Sequence, residues 1–237
     1  MHFAYDPTLA HDLNVFPNKD VVLFPDPVRA PDGRLSHGFL HRPMWDPTLG
    51  LPAGVTDPRH SIWASFVPVD IVAEDLTALV QLNQHRPVAV PRYPFESTKI
   101  GAGPPPIRAP EGWLLIHRGV SEHDTGDPVP RLNYAAGAMI LAADDVTKVL
   151  YRTAEPLLAP ETTKEQAAID RHIVFPSGLA NVAGTNYLFY GASDRYIGVA
   201  CLEHNVENHP GPSPWRVADD HTAEEPAMQP AASGTGS

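Results

Sequence analysis

The stretch Gly112-Trp113-Leu114-Leu115-Ile116-His117-Arg118-Gly119-Val120 has the length and composition of a β-strand. Aromatic and branched apolar side chains fill most of it, as is typical of strands. Similar short runs recur along the chain, at residues 21–24, 35–42, 61–67, 135–142, 149–152, 172–175, 187–190 and 196–202. Convincing helical spacing is confined to residues 70–80. These runs predict an all-β protein.

Proline is the unusual residue in the composition. The chain has 27 prolines among 237 residues, roughly twice the average usage. Because proline lacks an amide hydrogen and has a fixed φ, it is excluded from helix interiors and central strands. A long helical bundle is therefore excluded, and short strands joined by proline-bearing turns are favoured.

The predicted strands come in pairs. One pair begins near residues 35 and 61, a second near 113 and 133, and a third near 185 and 195. This loose spacing suggests a repeated all-β unit, such as a propeller blade. A β-sandwich with long loops fits the pattern equally well, so periodicity alone leaves both architectures open.

Charge and cysteine content exclude several classes of protein. The formal net charge is −11, which argues against binding nucleic acid or an anionic membrane surface. A single cysteine, Cys201, excludes an internal disulfide framework and multi-cysteine zinc sites. The first residues do not resemble a signal peptide, and no apolar run is long enough to span a membrane, so we expect a cytoplasmic protein.

Four stretches are too specific for generic loops. They are Phe16-Pro17-Asn18-Lys19-Asp20-Val21-Val22-Leu23-Phe24-Pro25, Leu40-His41-Arg42-Pro43-Met44-Trp45, residues 99–120 with Lys99-Ile100-Gly101-Ala102-Gly103 and the strand quoted above, and Val174-Phe175-Pro176-Ser177-Gly178 followed by residues 189–194. In this order and spacing they resemble glycoside hydrolase family 130, the β-mannoside phosphorylases and related β-mannosidases. The resemblance runs from about residue 14 to about residue 201.

The resemblance implies a five-bladed β-propeller with its sugar site in the central depression. Family members are commonly longer, and the sequence offers about three blades, so we expect an N-terminally truncated propeller over residues 1–208. Residues 209–237 are rich in proline, alanine, glycine and serine. Such a segment has little apolar surface to bury, and we expect it to be a disordered tail.

Phosphorolysis needs cations that converge on one point, because the substrate phosphate is an anion. Lys19 and His41 fall at positions that resemble the family's phosphate ligands. Arg42 is a third candidate, which would pair with the anion or brace a carboxylate. The alternatives are a solvated turn lysine for Lys19 and a hydrogen-bonded strand histidine for His41.

Sugar binding is expected from a second group of residues. Asp194, after the strand that ends near Tyr190, resembles a family aspartate that contacts the sugar next to the cleaved bond. Lys99 and Gly103 lie in a stretch that resembles a pocket wall, although a rigid connection between blades fits equally well. His117 stands where the family often has tyrosine, and it is either a pocket residue or a hydrogen-bonded strand histidine. The alternative for Asp194 is an aspartate of the turn before the last hairpin, with no contact to sugar.

The family's proton donor is an aspartate in a Glu-Asp-Pro-Arg motif that precedes the matched region. Thr56-Asp57-Pro58-Arg59 imitates this motif but lies in a later position and lacks the glutamate. We expect Asp57 to be a loop residue, with proton donation as the alternative.

The resemblance implies inverting phosphorolysis of β-1,4-mannosides to α-mannose 1-phosphate, with inorganic phosphate as co-substrate and no metal or organic cofactor. Three alternatives stay open at this point: a β-mannoside hydrolase, an inactive sugar-binding propeller fragment, and an unrelated β-sandwich binding module. The expected partners are an oligosaccharide and phosphate. An incomplete propeller would also self-associate or pair with a separate N-terminal part, since open sheet edges and apolar faces favour association.

Overall fold

The computed structural model describes residues 17–44, 55–123, 126, 130–166, 171–204 and 215–217. Strands dominate this part of the chain, which confirms the all-β prediction. The strands are β1 (Asn18–Leu23), β2 (Val28–Arg29), β3 (Leu35–Pro43), β4 (Ile62–Pro68), β5 (Asn83–Ala89), β6 (Lys99–Ala102), β7 (Ile107–Ala109), β8 (Gly112–His123), β9 (Arg131–Leu141), β10 (Val149–Arg152), β11 (Arg171–Val182), β12 (Thr185–Ala192), β13 (Tyr196–His204) and β14 (Trp215–Val217). Within the described ranges, helical structure is limited to α1 (Val69–Glu74) and two 3₁₀ turns, Leu76–Val80 and Pro94–Glu96.

The strands form antiparallel units in chain order. One sheet has the order β1-β3-β4-β5, and the second contains β6-β8-β9 with β10 on β9, followed by β11-β12-β13-β14. Parallel pairing of β11 with β9 joins the last two units. The three predicted strand pairs are confirmed as β3 with β4, β8 with β9, and β12 with β13. Four-stranded antiparallel units of this kind are the building blocks of propellers.

One local prediction needs correction, and one strand was not predicted. The helix expected over residues 70–80 is broken at Asp75, whose extended backbone (φ −143°) ends α1. The Asp75 side chain then accepts a hydrogen bond from the Thr77 amide and caps the following 3₁₀ turn. Pro87 lies within β5, a strand that sequence patterning did not predict. Its place at the edge of its sheet is where a strand tolerates proline.

The core lies on both faces of β8. Trp113 and Leu115 pack with Phe24, Leu40 and other apolar residues of the first sheet. The alternating residues Leu114 and Ile116 pack with β9, β11 and β12 instead. Because successive side chains of a strand point to opposite faces, a continuous apolar run such as this is buried on both sides.

The predicted tail is ordered at one point. Trp215–Val217 form β14 on β13, and the Trp215 side chain is buried in the apolar cluster beneath β12. Burial of this indole explains why the sheet extends beyond residue 208. The rest of residues 209–237, like residues 1–16, lies outside the described residues. No helix in the described ranges has the length and apolar character needed to cross a membrane.

Candidate functional site: a cationic cluster between the two sheets

Lys19 and Arg42 begin the site. They are directly opposite one another in the antiparallel ladder between β1 and β3. Side chains of directly opposed residues leave the ladder on the same face. The sequence therefore places two cations side by side at the start of β1, with Lys19 exposed and the Arg42 side chain only 7% exposed.

Asp20 follows at a β-bulge. The register between β1 and β3 shifts between Lys19 and Val22, and Asp20 has a positive φ of 59°. Aspartate and asparagine are the non-glycine residues that adopt this left-handed conformation most readily. The carboxylate of Asp20 pairs with two guanidinium groups, those of Arg42 and Arg118.

Arg118 comes from the second sheet. It lies opposite Gly101 in the ladder between β8 and β6, and its Nη1 donates a hydrogen bond of 3.0 Å to the Ala102 carbonyl. Its guanidinium also lies 4.1 Å from the centre of the Phe175 ring, a cation–π contact. These contacts fix Arg118 in one orientation next to Asp20 and join the two sheets.

Lys99, at the start of β6, completes the cationic cluster, by which we mean Lys19, Arg42, Lys99 and Arg118. Its Nζ lies 5.9 Å from the ring centre of Tyr134. Burial lowers the pKa of Lys99, and the charges of Arg42, Lys19 and Arg171 lower it further. A group whose pKa is lowered by neighbouring cations gains from an added anion, because the anion offsets that repulsion.

The two arginines of the cluster are largely desolvated. Burial is the main cause that lowers the pKa of both, to about 10 for Arg118. Both guanidinium groups therefore stay charged at neutral pH. The Nε of Arg42 is buried without a hydrogen-bond partner. A buried unpaired donor is costly, and an acceptor that fills this position would satisfy it.

His41 is not part of this cluster. Its Nε2 lies 2.6 Å from the Ser65 hydroxyl and its Nδ1 lies 3.0 Å from the Asn18 amide, on the face of β3 opposite to Arg42. Burial, with a smaller contribution from His85, lowers the pKa of His41 to about 4. The ring is therefore neutral at pH 7. Its placement fits the alternative of a hydrogen-bonded strand histidine and does not fit direct contact with phosphate at the cluster.

His117 is fully buried, which fits the alternative of a hydrogen-bonded strand histidine better than that of a pocket residue. Its Nε2 lies 2.7 Å from Oε1 of Glu96, and Arg152 pairs with Oε2 of the same carboxylate at 2.6 Å. Burial alone would raise the pKa of Glu96, but the His117 hydrogen bond and the Arg152 charge lower it to about 2. This cluster ties β8, β10 and the 94–96 turn together.

Asp194 and Tyr190 lie in the third unit. Asp194 is exposed in the turn between β12 and β13, next to Ser193, whose amide lies 3.4 Å from the Ile173 carbonyl. Ile173 pairs with Tyr134, so Asp194 lies at the same end of the sheet as Lys99. Tyr190 is half-buried, and its hydroxyl donates a 2.8 Å hydrogen bond to Glu165.

Gly103 and Asp57 lie in surroundings that fit structural roles. Gly103 packs so closely against the Ile116 carbonyl and Pro176 that a Cβ would crowd both, which fits a rigid connection. Asp57 is held by Arg59, with Oδ2 2.6 Å from Nη2, and hydrogen bonds from Arg59 lower its pKa. A lowered pKa opposes proton donation, so the loop interpretation of Asp57 is the better fit.

Sequence reasoning did not single out Asp20, Arg118 or Tyr134. Arg118 lies within the strand predicted over residues 112–120, but no role was predicted for it. One available signal was the alternation of side chains along a strand, which puts His117 on one face of β8 and Arg118 on the other. Asp20 carried no signal of its own, because its role depends on a bulge that patterning does not predict.

The chain is similar in sequence and in structure to known proteins. The family profile described as beta-1,4-mannooligosaccharide phosphorylase matches residues 54–208. A 1,2-beta-oligomannan phosphorylase of Thermoanaerobacter is 31% identical over 188 residues, which are 79% of this chain and 51% of that protein. A beta-1,4-mannooligosaccharide phosphorylase of Ruminococcus albus is 38% identical over 120 residues, 50% of this chain and 34% of that protein.

A solved structure supports the same assignment. The beta-1,2-mannobiose phosphorylase of Listeria innocua, in complex with beta-1,2-mannobiose, superposes with a TM-score of 0.57 at 26% identity. The match covers 78% of this chain and 44% of that protein. The chain thus spans about half the length of the relatives it matches, and the β-propeller class follows from the likeness while the blade count stays a prediction. With the profile matching well over half of its residues, the chain belongs to glycoside hydrolase family 130.

Proposed function

We propose that the cationic cluster binds inorganic phosphate for the inverting phosphorolysis of β-mannosides. The observation that carries this proposal is the convergence of Lys19, Arg42, Lys99 and Arg118, together with an Arg42 Nε that is buried without a hydrogen-bond partner. Guanidinium groups match the geometry of phosphate oxygens, and lysines add point charge. A protein with a net charge of −11 gains from such a local concentration of cations when its substrate is an anion.

The reaction follows from placing phosphate on one face of the sugar. A phosphate oxygen forms a bond to the anomeric carbon while the glycosidic bond on the opposite face breaks. The leaving oxygen takes a proton from a general acid. Inversion converts the β-mannoside to α-mannose 1-phosphate. Asp194, at the same end of the sheet, is the proposed sugar ligand, since a carboxylate accepts hydrogen bonds from hydroxyl groups.

A hydrolase is less well supported. It would hold water in place of phosphate and would need a free carboxylate as general base. The carboxylate within the cluster, Asp20, faces two guanidinium groups and is not free to take a proton. The cations are retained, which favours phosphate as the second substrate.

The linkage of the substrate is part of the proposal. We propose β-1,4-mannosides, in line with the description of the matching family profile. Two relatives are named for β-1,2-linked substrates, so β-1,2-mannobiose is the comparison substrate. We also propose a cytosolic location, since a single cysteine fits a reducing compartment.

The assay is formation of α-mannose 1-phosphate from inorganic phosphate and either mannobiose by the purified chain. Product formed by the chain should be lost in Lys19→Ala and Lys99→Ala and retained in Lys148→Ala, an exposed lysine outside the cluster. Free mannose formed without phosphate would establish a hydrolase instead. No product from a folded sample would overturn phosphorolysis by this chain and leave the alternative of a sugar-binding fragment.

Self-association through an exposed apolar face is proposed for the third unit. One face of β12 and β13 exposes Phe189, Ile197 and Val199, with Ile197 82% exposed. On this face Phe189 lies opposite Val199 and Gly191 lies opposite Ile197, so the apolar side chains form one continuous patch. Exposed apolar patches mark association surfaces. Light scattering should show an assembly larger than a monomer that Ile197→Lys dissociates, and a monomeric wild type would contradict this.

A further inference from the structure

Asp20 makes close contacts with both arginines of the cationic cluster. Its Oδ2 lies 2.9 Å from Nη1 of Arg42, and its Oδ1 pairs with Nη2 of Arg118. The side chains are 10%, 7% and 4% exposed for Asp20, Arg42 and Arg118 respectively. In so buried a group the removal of one charge leaves the others uncompensated.

The backbone of β1 is shaped to put this carboxylate beside the cations. In a regular strand, Asp20 would point away from the face that carries Lys19. The bulge between Lys19 and Val22, together with the positive φ of Asp20, removes that constraint. Gly101 leaves the necessary space, because a Cβ there would overlap Oδ2 of Asp20 and crowd both guanidinium groups.

The contacts of the two arginines do not use the Nε of Arg42. Arg118 is held by Asp20, by the Ala102 carbonyl and by the Phe175 ring. Arg42 is held by Asp20 through Nη1, while its buried Nε has no partner. Asp20 thus contacts Nη groups of both arginines, and the Nε of Arg42 takes no part in these contacts.

We infer that Asp20 is a positioning residue, which bridges Arg42 and Arg118 and thereby holds their guanidinium groups in the orientation that binds phosphate. This inference rests on the phosphate site proposed above. Asp20 itself repels the anion. Its contribution is geometric, since pre-oriented donors lose less conformational freedom when the ligand binds.

The test is calorimetric titration of the purified full chain with inorganic phosphate, for wild type and Asp20→Asn. Asparagine has nearly the same shape and tolerates the positive φ, so the substitution removes the charge with little change of backbone. A count of charges predicts tighter phosphate binding in Asp20→Asn. If Asp20 positions the arginines, Asp20→Asn should instead bind phosphate more weakly, with a Kd raised about tenfold or more, because the charge-assisted contacts that hold the arginines are lost. Asp70→Asn, which breaks an exposed pair with Arg34, is the matched control and should bind as wild type.

Each outcome has a separate meaning. If the wild type binds no phosphate, the proposed function falls. If the wild type binds and Asp20→Asn binds equally well or more tightly, Asp20 is a bystander or a competing anion, and the inference is overturned. Should Asp20→Asn fail to fold, Arg118→Lys provides the second test. It keeps the charge but has a single nitrogen in place of the Nη2 that pairs with Asp20 and the Nη1 that donates to the Ala102 carbonyl, so unchanged affinity in this variant would overturn the inference.

Discussion

Gly101 lies so close to Asp20 that a Cβ atom at position 101 would overlap Oδ2 of the Asp20 carboxylate. The same atom would lie 3.0 Å from Nη1 of Arg42 and 3.1 Å from Nη2 of Arg118. The cationic cluster therefore depends on a residue without a side chain in the facing strand. A glycine within a strand has no side chain, so the side chains of Asp20 and the two arginines can occupy that space.

Gly101→Ala should weaken phosphate binding, since the added methyl group must displace the carboxylate or the guanidinium groups that surround it. We expect at least a tenfold increase in Kd, which corresponds to about 1.4 kcal/mol. Gly191→Ala is the control, because a Cβ there meets only the Phe175 Cβ at 3.8 Å, an ordinary contact. Equal phosphate affinity in the two variants would show that the cluster does not need the space at position 101.

Lys99 predicts a pH dependence of phosphate binding. Burial and neighbouring cations lower its pKa, so in the free protein the ammonium loses its proton at a lower pH than an ordinary lysine. Bound phosphate favours the charged form. The Kd for phosphate should therefore rise as the pH increases through this lowered pKa, by roughly tenfold for the loss of one charged contact. Titration between pH 7 and pH 10 measures it, and Lys99→Arg should remove most of the rise. A wild-type curve identical to that of Lys99→Arg would argue against a role for Lys99.

Glu96 is expected to be essential for stability. Its carboxylate is fully buried and pairs with Arg152 and His117. Glu96→Gln leaves Arg152 buried without a counter-charge, and the free energy of unfolding should fall by about 3–5 kcal/mol. Asp70→Asn, in an exposed pair, should change it little. Urea unfolding compares the two variants, and equal stability would refute a structural role for this buried cluster.

The folded protein should lose stability in mild acid because of His41. Its folded pKa of about 4 lies below the ordinary value of 6.5, so the unfolded chain binds the proton first as the pH falls. The stabilisation is complete above pH 6.5 and decreases as the pH falls toward 4. From pH 8 to pH 5 the loss should be roughly 2 kcal/mol. His41→Gln should lose less over the same interval in urea unfolding, and an equal loss would mean that another group titrates.

Much of the fold was predictable because its signal is local. The runs at residues 61–67 and 113–117 are apolar on both faces, which is what a strand buried between two layers requires. Strands β2, β5, β6, β7 and β14 were missed. Most of these are too short to show alternation, and β5 contains Pro87 and mixed polarity at a sheet edge.

The site was predictable only in part. Through motif resemblance Lys19 and Arg42 were expected to bind phosphate and Lys99 to line the sugar pocket, and the structure brings these three residues close together. His41 and His117 were identified on the same ground, yet both are buried in hydrogen-bonded clusters of their own, His41 with Ser65 and His117 with Glu96. A motif indicates which residues lie near a site, but strand alternation and the bulge at Asp20 decide which side chains face it.

A crystal structure of the chain with inorganic phosphate would test the central claim most directly. We predict a phosphate bound by the Nε of Arg42 and the Nζ of Lys99, with Asp20 still bridging Arg42 and Arg118. Phosphate at another location, or a cluster that stays empty at saturating phosphate, would contradict the account.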